Sequence, residues 1–167
     1  MKEKANAEQF LMRALKGDAE AVLFVLQLCE VLHLWDDLED RDNPVTRDSV
    51  DKGMYLALVA IPRNAFYRKY FDELNPILAN AIYNWHCAND LEAQDTLKAK
   101  EIAYVIRSAY CDVALTAARI IGVYDWARLI APEIRAHWHS EGFTGYQANL
   151  QKQRLLAQEK ANGNILQ

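Results

Sequence analysis

The stretch A-V-L-F-V-L-Q-L-C-E-V-L-H-L-W-D-D-L-E-D, residues 21–40, carries the most apolar helical pattern of the chain. At about 100° per residue, Leu28, Val31, Leu32, Leu34, Trp35 and Leu38 share one broad face. Glu30, His33, Asp36, Asp37 and Asp40 share the other, and Glu39 points away from them. One turn earlier the polar arc is occupied by Val22, Leu26 and Cys29. The helix therefore begins apolar all round, which means buried. Its acids continue a buried stripe, so carboxylates are expected at the mouth of an apolar interior.

Outward from this helix the pattern stays helical. Glycine is scarce, and no hairpin dipeptide lies between alternating runs. A first helix is expected over Ala5 to Leu15, ended by Gly17, with Asp18 capping the next. Asp42-Asn43-Pro44 signals a turn. Thr46 or Asp48 should cap a third helix through Val59. Pro62 should start a short aromatic helix, A-F-Y-R-K-Y-F, and Pro76 another to about Asp90. Asp95 or Thr96 should open a long helix ending at Gly122. Tyr124 to Glu141 should be helical with a break near Pro132. The expected fold is all-α, a single bundle of six or seven helices. Residues 1–145 would form the bundle, and residues 146–167 a polar C-terminal helix or tail packed on the bundle or on a partner.

With 167 residues there is room for a sizeable core. Net charge is −4 without a basic block, so no nucleic-acid partner is expected. The longest apolar run, Ala21 to Leu26, is too short to span a bilayer, and the first residues, M-K-E-K-A-N-A-E-Q, lack a signal-peptide core. A cytoplasmic protein is expected. Cys29, Cys87 and Cys111 lie far apart in helical patterns and read as buried thiols.

Four of the five residues 36–40 are acids, placed at a helix C-terminus, the wrong end for negative charge. Asp36 and Asp40 are four apart, and Asp37 and Asp40 three apart. Either pair can share a divalent cation, with Glu30 and His33 one or two turns away. All-oxygen ligands suit Mg²⁺ or Mn²⁺, which bind through one or two carboxylates plus substrate phosphates. The alternative is a solvated acidic face.

D-D-L-E-D resembles the DDxxD motif of class I isoprenoid synthases. The resemblance implies an all-helical fold, a cavity lined by the motif's helix, and Asp36, Asp37 and Asp40 holding Mg²⁺ against a prenyl diphosphate. A second metal motif of that class has the type N/D-x-x-x-S/T-x-x-x-E. Tyr104, Ser108 and Asp112 match its spacing, with Tyr and Asp at its outer positions. Asp112 is thus a candidate ligand, or else an acid paired with an arginine. Arg47, Ser108 and Arg119 are candidates for the ligand's polar groups. The chain is shorter than that family implies, and the arginine pair after the first motif is missing. Binding or hydrolysis of a phosphorylated molecule is therefore expected rather than carbon–carbon bond formation.

Glu30-x-x-His33 has di-iron spacing but no second copy. The pairs Asp36/Glu39 and Asp37/Asp40 are similar to those of all-α nucleotide pyrophosphohydrolases, with Asp90 to Asp95 as the nearest partner segment. Phe66, Tyr67, Tyr70 and Phe71 read as packing or an oligomer contact. Two classes stay open: a metal-dependent enzyme or binder of a phosphorylated metabolite, and a non-catalytic helical protein. The latter would be oligomeric or partner-binding; in either class the chain is expected to self-associate, most simply as a two-fold homodimer.

Overall fold

The computed structural model describes the backbone of residues 2–40, 44–139 and 141–163. The side chains of residues 2–5, 40, 156–157 and 159–163 lie outside that description, as do Asp42 and Asn43 of the expected turn. Among the described residues all regular structure is helical, and segments joined across their breaks make six helices. The all-α expectation holds. No described helix is long and apolar enough to cross a membrane.

Helix α1, Lys2–Ala14, ends in two left-handed residues, Lys16 (φ 51°) and Gly17 (φ 79°). Gly17 N–H then reaches the Met12 carbonyl at 2.8 Å, satisfying a terminal acceptor. Asp18 accepts from Ala21 N–H and opens α2, Ala19–Asp40, as the sequence predicted. Thr46 caps α3, Arg47–Tyr55, in a reciprocal capping box with Ser49. A five-residue π segment, Leu56–Ala60, and α4, Ile61–Arg63, continue it. Asn64 caps α5, Ala65–Lys69, and its amide also donates to the Glu20 carbonyl at 2.9 Å. This ties α5 to the start of α2.

Helix α6, Phe71–Ala93, begins a turn before Pro76. The acceptor this proline leaves without a donor is the carbonyl of the exposed Asp72. Thr96 caps α7, Leu97–Ile106, but the long helix expected to run on to Gly122 is broken by turns at 107–110. Helix α8, Cys111–Trp138, passes through Pro132 and is kinked at Val123 instead (φ 56°, ψ −169°). The kink follows Gly122, where a Cβ would collide with the Trp126 ring. Trp126 folds back there and donates from its indole to the Ala14 carbonyl at 2.9 Å. Helix α9, Phe143–Gly163, completes the chain.

Two compact units emerge. Unit one, residues 1–77 and 112–134, has the larger side chains inside: Phe24, Leu11, Leu15, Leu74, Ile130, Ile134 and Val113 are almost fully buried. Phe24 stacks on Tyr67 at 4.9 Å, and Phe66 is buried too, so this part of the aromatic segment is core. Unit two, residues 78–111 and 135–167, buries small groups, Ala88, Ala99, Ala103, Ala109 and Cys111, with Tyr146 and Leu150 from α9. The expectation of three buried thiols holds for Cys111 only in full. Cys29 is half-buried and Cys87 exposed, because its helix turns that side outward.

Helix α3 lies close against α2 at Gly53, which is buried. A Cβ at that position would fall inside the van der Waals radius of Leu34 Cδ2. Alanine in a helix interior ordinarily stabilises over glycine by about 0.5–1 kcal/mol. Here the overlap should dominate. Gly53→Ala is expected to cost about 1–3 kcal/mol in wild type but to stabilise the Leu34→Ala background. Urea unfolding of the four-member mutant cycle measures both; additive effects would refute the close approach.

Candidate functional site

Between α2 and α3, within unit one, lies a cavity of about 680 Å³. That volume falls in the range of small-molecule sites. Its apolar lining comes from Ala7, Leu26, Cys29, Leu34, Val45 and Gly53. Its polar lining is Glu30, His33 and Asp37 from α2, with Thr46, Ser49 and Lys52 from α3 and its cap. The i, i+3, i+7 spacing of Glu30, His33 and Asp37 puts them on one side of α2. Leu34 and Gly53, which lie against each other, both line the cavity. Lys52 Nζ donates to Glu30 Oε1 and joins the two walls. Both side chains are partly exposed, 56% and 37%.

Thus three of the residues singled out on α2, Glu30, His33 and Asp37, reach one cavity. Asp36 is half-buried and outside the lining. Asp40 ends α2, and its side chain lies outside the described residues. The carbonyl of Asp112 accepts from Thr116 Oγ1 at 2.7 Å. Arg47 sits in an exposed pair with Asp51, and Arg119 pairs with Glu73. Ser108 falls in the turn that breaks the expected helix, so the four-residue spacing to Asp112 no longer lies on one continuous helix. Among the described residues no group of three or more His, Cys, Asp or Glu side chains is arranged to hold a metal.

Unit two contains a polar network that sequence pattern did not reveal. The Glu92 carboxylate accepts from Arg107 Nη1 at 2.6 Å and from the Tyr146 hydroxyl. Arg107 also donates to Asn89 Oδ1 at 3.3 Å, and the Arg154 guanidinium to the Glu92 carbonyl. Burial, then the Glu92 carboxylate, push the Tyr146 hydroxyl far above the ordinary phenol range. Lys100 and then Arg154 hold Asp95 below the usual carboxylate range. The partners of Glu92 and Arg107 lie 15 to 62 residues away in sequence, so no short motif announces them. Their role is structural: they fasten α9 over a core built largely of alanine, where little apolar area is available.

Ser108, itself buried, lies 2.6 Å from His139 Nε2. His139 also packs on Tyr104, whose hydroxyl donates to the Glu141 carbonyl at 2.6 Å. Burial, and secondarily Arg135, hold His139 below the ordinary imidazole range. Burial does the same for His137.

Comparison with known proteins finds no family model, no curated protein and no solved structure that matches this chain.

The histidines give a signed pH dependence. With folded-state values depressed, the unfolded chain takes up protons first as pH falls, so the native state loses stability. The loss should begin near the ordinary imidazole value, about 6.5, and continue through the lower folded-state values. Chemical unfolding between about pH 7 and pH 5 should show stability falling with pH, and His139→Gln should flatten the slope. A stability that rises on acidification would contradict the buried Ser108–His139 contact.

Proposed function

We propose that the α2–α3 cavity binds a small phosphorylated molecule, with Mg²⁺ or Mn²⁺ carried by the acidic end of α2. The observation that supports this reading is the cavity itself: an apolar floor opening beside Glu30, His33 and Asp37. No pre-formed cage of three protein ligands is required. Mg²⁺ keeps several waters and is held by one or two carboxylates together with substrate phosphates. Asp37 supplies such a carboxylate in the lining, and Asp36 and Asp40 lie within one turn of it. The C-terminal end of the helix dipole also favours a cation there, and no basic residue occupies the last turn of α2. The similarity of Asp36–Asp40 to the first motif of class I isoprenoid synthases points the same way. Bound there, the cation would neutralise phosphate oxygens and any leaving phosphate.

The test is thermal unfolding with Mg²⁺ and inorganic pyrophosphate. A ligand of the native state alone raises the melting temperature, by about 2.7 kcal/mol of stabilisation at a hundredfold excess over Kd. Wild type should shift upward only with both present, and Asp37→Asn should abolish the shift. No shift in wild type would defeat the reading.

A second reading, a non-catalytic protein that self-associates as a homodimer, draws support from a different surface. Met54, Tyr55 and Leu58 follow one another along one side of α3 and its π extension, at 53%, 59% and 67% exposure. If they pack against a second copy, light scattering should give twice 19.1 kDa. Tyr55→Ser with Leu58→Ser should return it to the monomer mass; a wild-type monomer at micromolar concentration contradicts this reading.

A further inference from the structure

We propose that the Lys52–Glu30 ion pair is a displaceable latch on the cavity: Lys52 reads the ligand's anionic group, and Glu30 competes with it. The inference rests on the cavity reading above but concerns which residues of this chain set its affinity for anions. Both groups line the cavity, from opposite walls. Lys52 comes from the last turn of α3 and Glu30 from the polar side of α2. Among the described lining residues Lys52 supplies the lysine ammonium, so it is the side chain that an anion entering there would recruit.

The pair is weak enough to be exchanged. Its partners are 56% and 37% exposed, and ion pairs this wet contribute little. An incoming phosphate oxygen carries at least the charge of a carboxylate and offers more acceptors. It can therefore take over the ammonium, whose three donors rotate on a flexible stem. Glu30, left behind, faces the same anion and repels it. The pair thus holds the empty site neutral at this point and opposes binding. Thr46 and Ser49 line the cavity on Lys52's side, and their hydroxyls reciprocally cap α3, so that wall is fixed while the lysine moves. Asp37 and His33 lie on Glu30's side of the cavity. The competition is thus between a wall that carries an ammonium and one that carries the Glu30 and Asp37 carboxylates beside His33.

The experiment is calorimetric titration of inorganic pyrophosphate, with and without Mg²⁺, into wild type, Glu30→Gln, Lys52→Gln, Lys52→Arg and Glu39→Gln. Glu39 is exposed and outside the cavity lining, so its variant changes net charge equally without touching the latch. Glu30→Gln should bind about threefold to tenfold tighter than wild type. Lys52→Gln should bind about tenfold weaker, with Lys52→Arg restoring most of the loss and Glu39→Gln matching wild type. Circular dichroism melting of each variant confirms that it is folded. Equal gains in Glu30→Gln and Glu39→Gln would reduce the effect to overall charge and overturn the latch. So would weaker binding by Glu30→Gln, which would make Glu30 a ligand-holding group. Binding by wild type that Glu30→Gln leaves unchanged overturns the latch alone and leaves the cavity reading standing. Binding by Glu30→Gln where wild type binds nothing overturns the latch too, since in the native chain no anion would then displace the pair. No binding by any variant overturns both.

Discussion

The approach of α3 to α2 at Gly53 is the constraint on which the candidate site depends. Gly53 lets the α3 backbone approach a Leu34 methyl that a Cβ there would have to displace. The contact sits at the last turn of α3, and the capping box of Thr46 and Ser49 fixes the other end. The cavity is lined from both helices between these two points. Lys52, one residue before the contact, is delivered to Glu30 by the same approach. Packing, electrostatics and the site are in this sense one arrangement.

The acidic end of α2 is placed against its helix dipole, and the chain offers no basic residue in that turn to offset it. Such an arrangement costs stability in isolation. A cation bound there would offset that charge. Unit two uses the opposite strategy. There Glu92 is almost enclosed, 13% exposed, and meets Arg107 and Tyr146 within the same unit. Polar groups buried so far from water have to be satisfied internally, and the result is a fastening for α9 rather than an opening for a ligand.

Much of this was legible in the sequence because helices write a 3.6-residue period. The pattern in residues 21–40 identified α2, its buried start and its acidic exit, and Asp18, Thr46 and Thr96 marked the helix starts by local capping chemistry. The break at 107–110 and the kink at Val123 were not legible. Both depend on tertiary contacts, the second on Trp126 reaching Ala14 across 112 residues. Proline misled at positions 76 and 132, where the helix accommodates it. Of the predicted site, Glu30, His33 and Asp37 converge because one helix face carries them. Lys52 joins them from another helix, a relation that periodicity within one segment cannot express. Ser108 and His139 met for similar reasons, 31 residues apart.

The α2–α3 cavity is the proposed ligand site. The most direct measurement is a backbone amide NMR spectrum of the whole chain titrated with Mg²⁺ and pyrophosphate. Shifts should concentrate at residues 26–37 and 45–53 and saturate together, with the amides of Glu92, Arg107 and Tyr146 unmoved. Shifts centred on unit two, or a spectrum unchanged at saturating ligand, would contradict it.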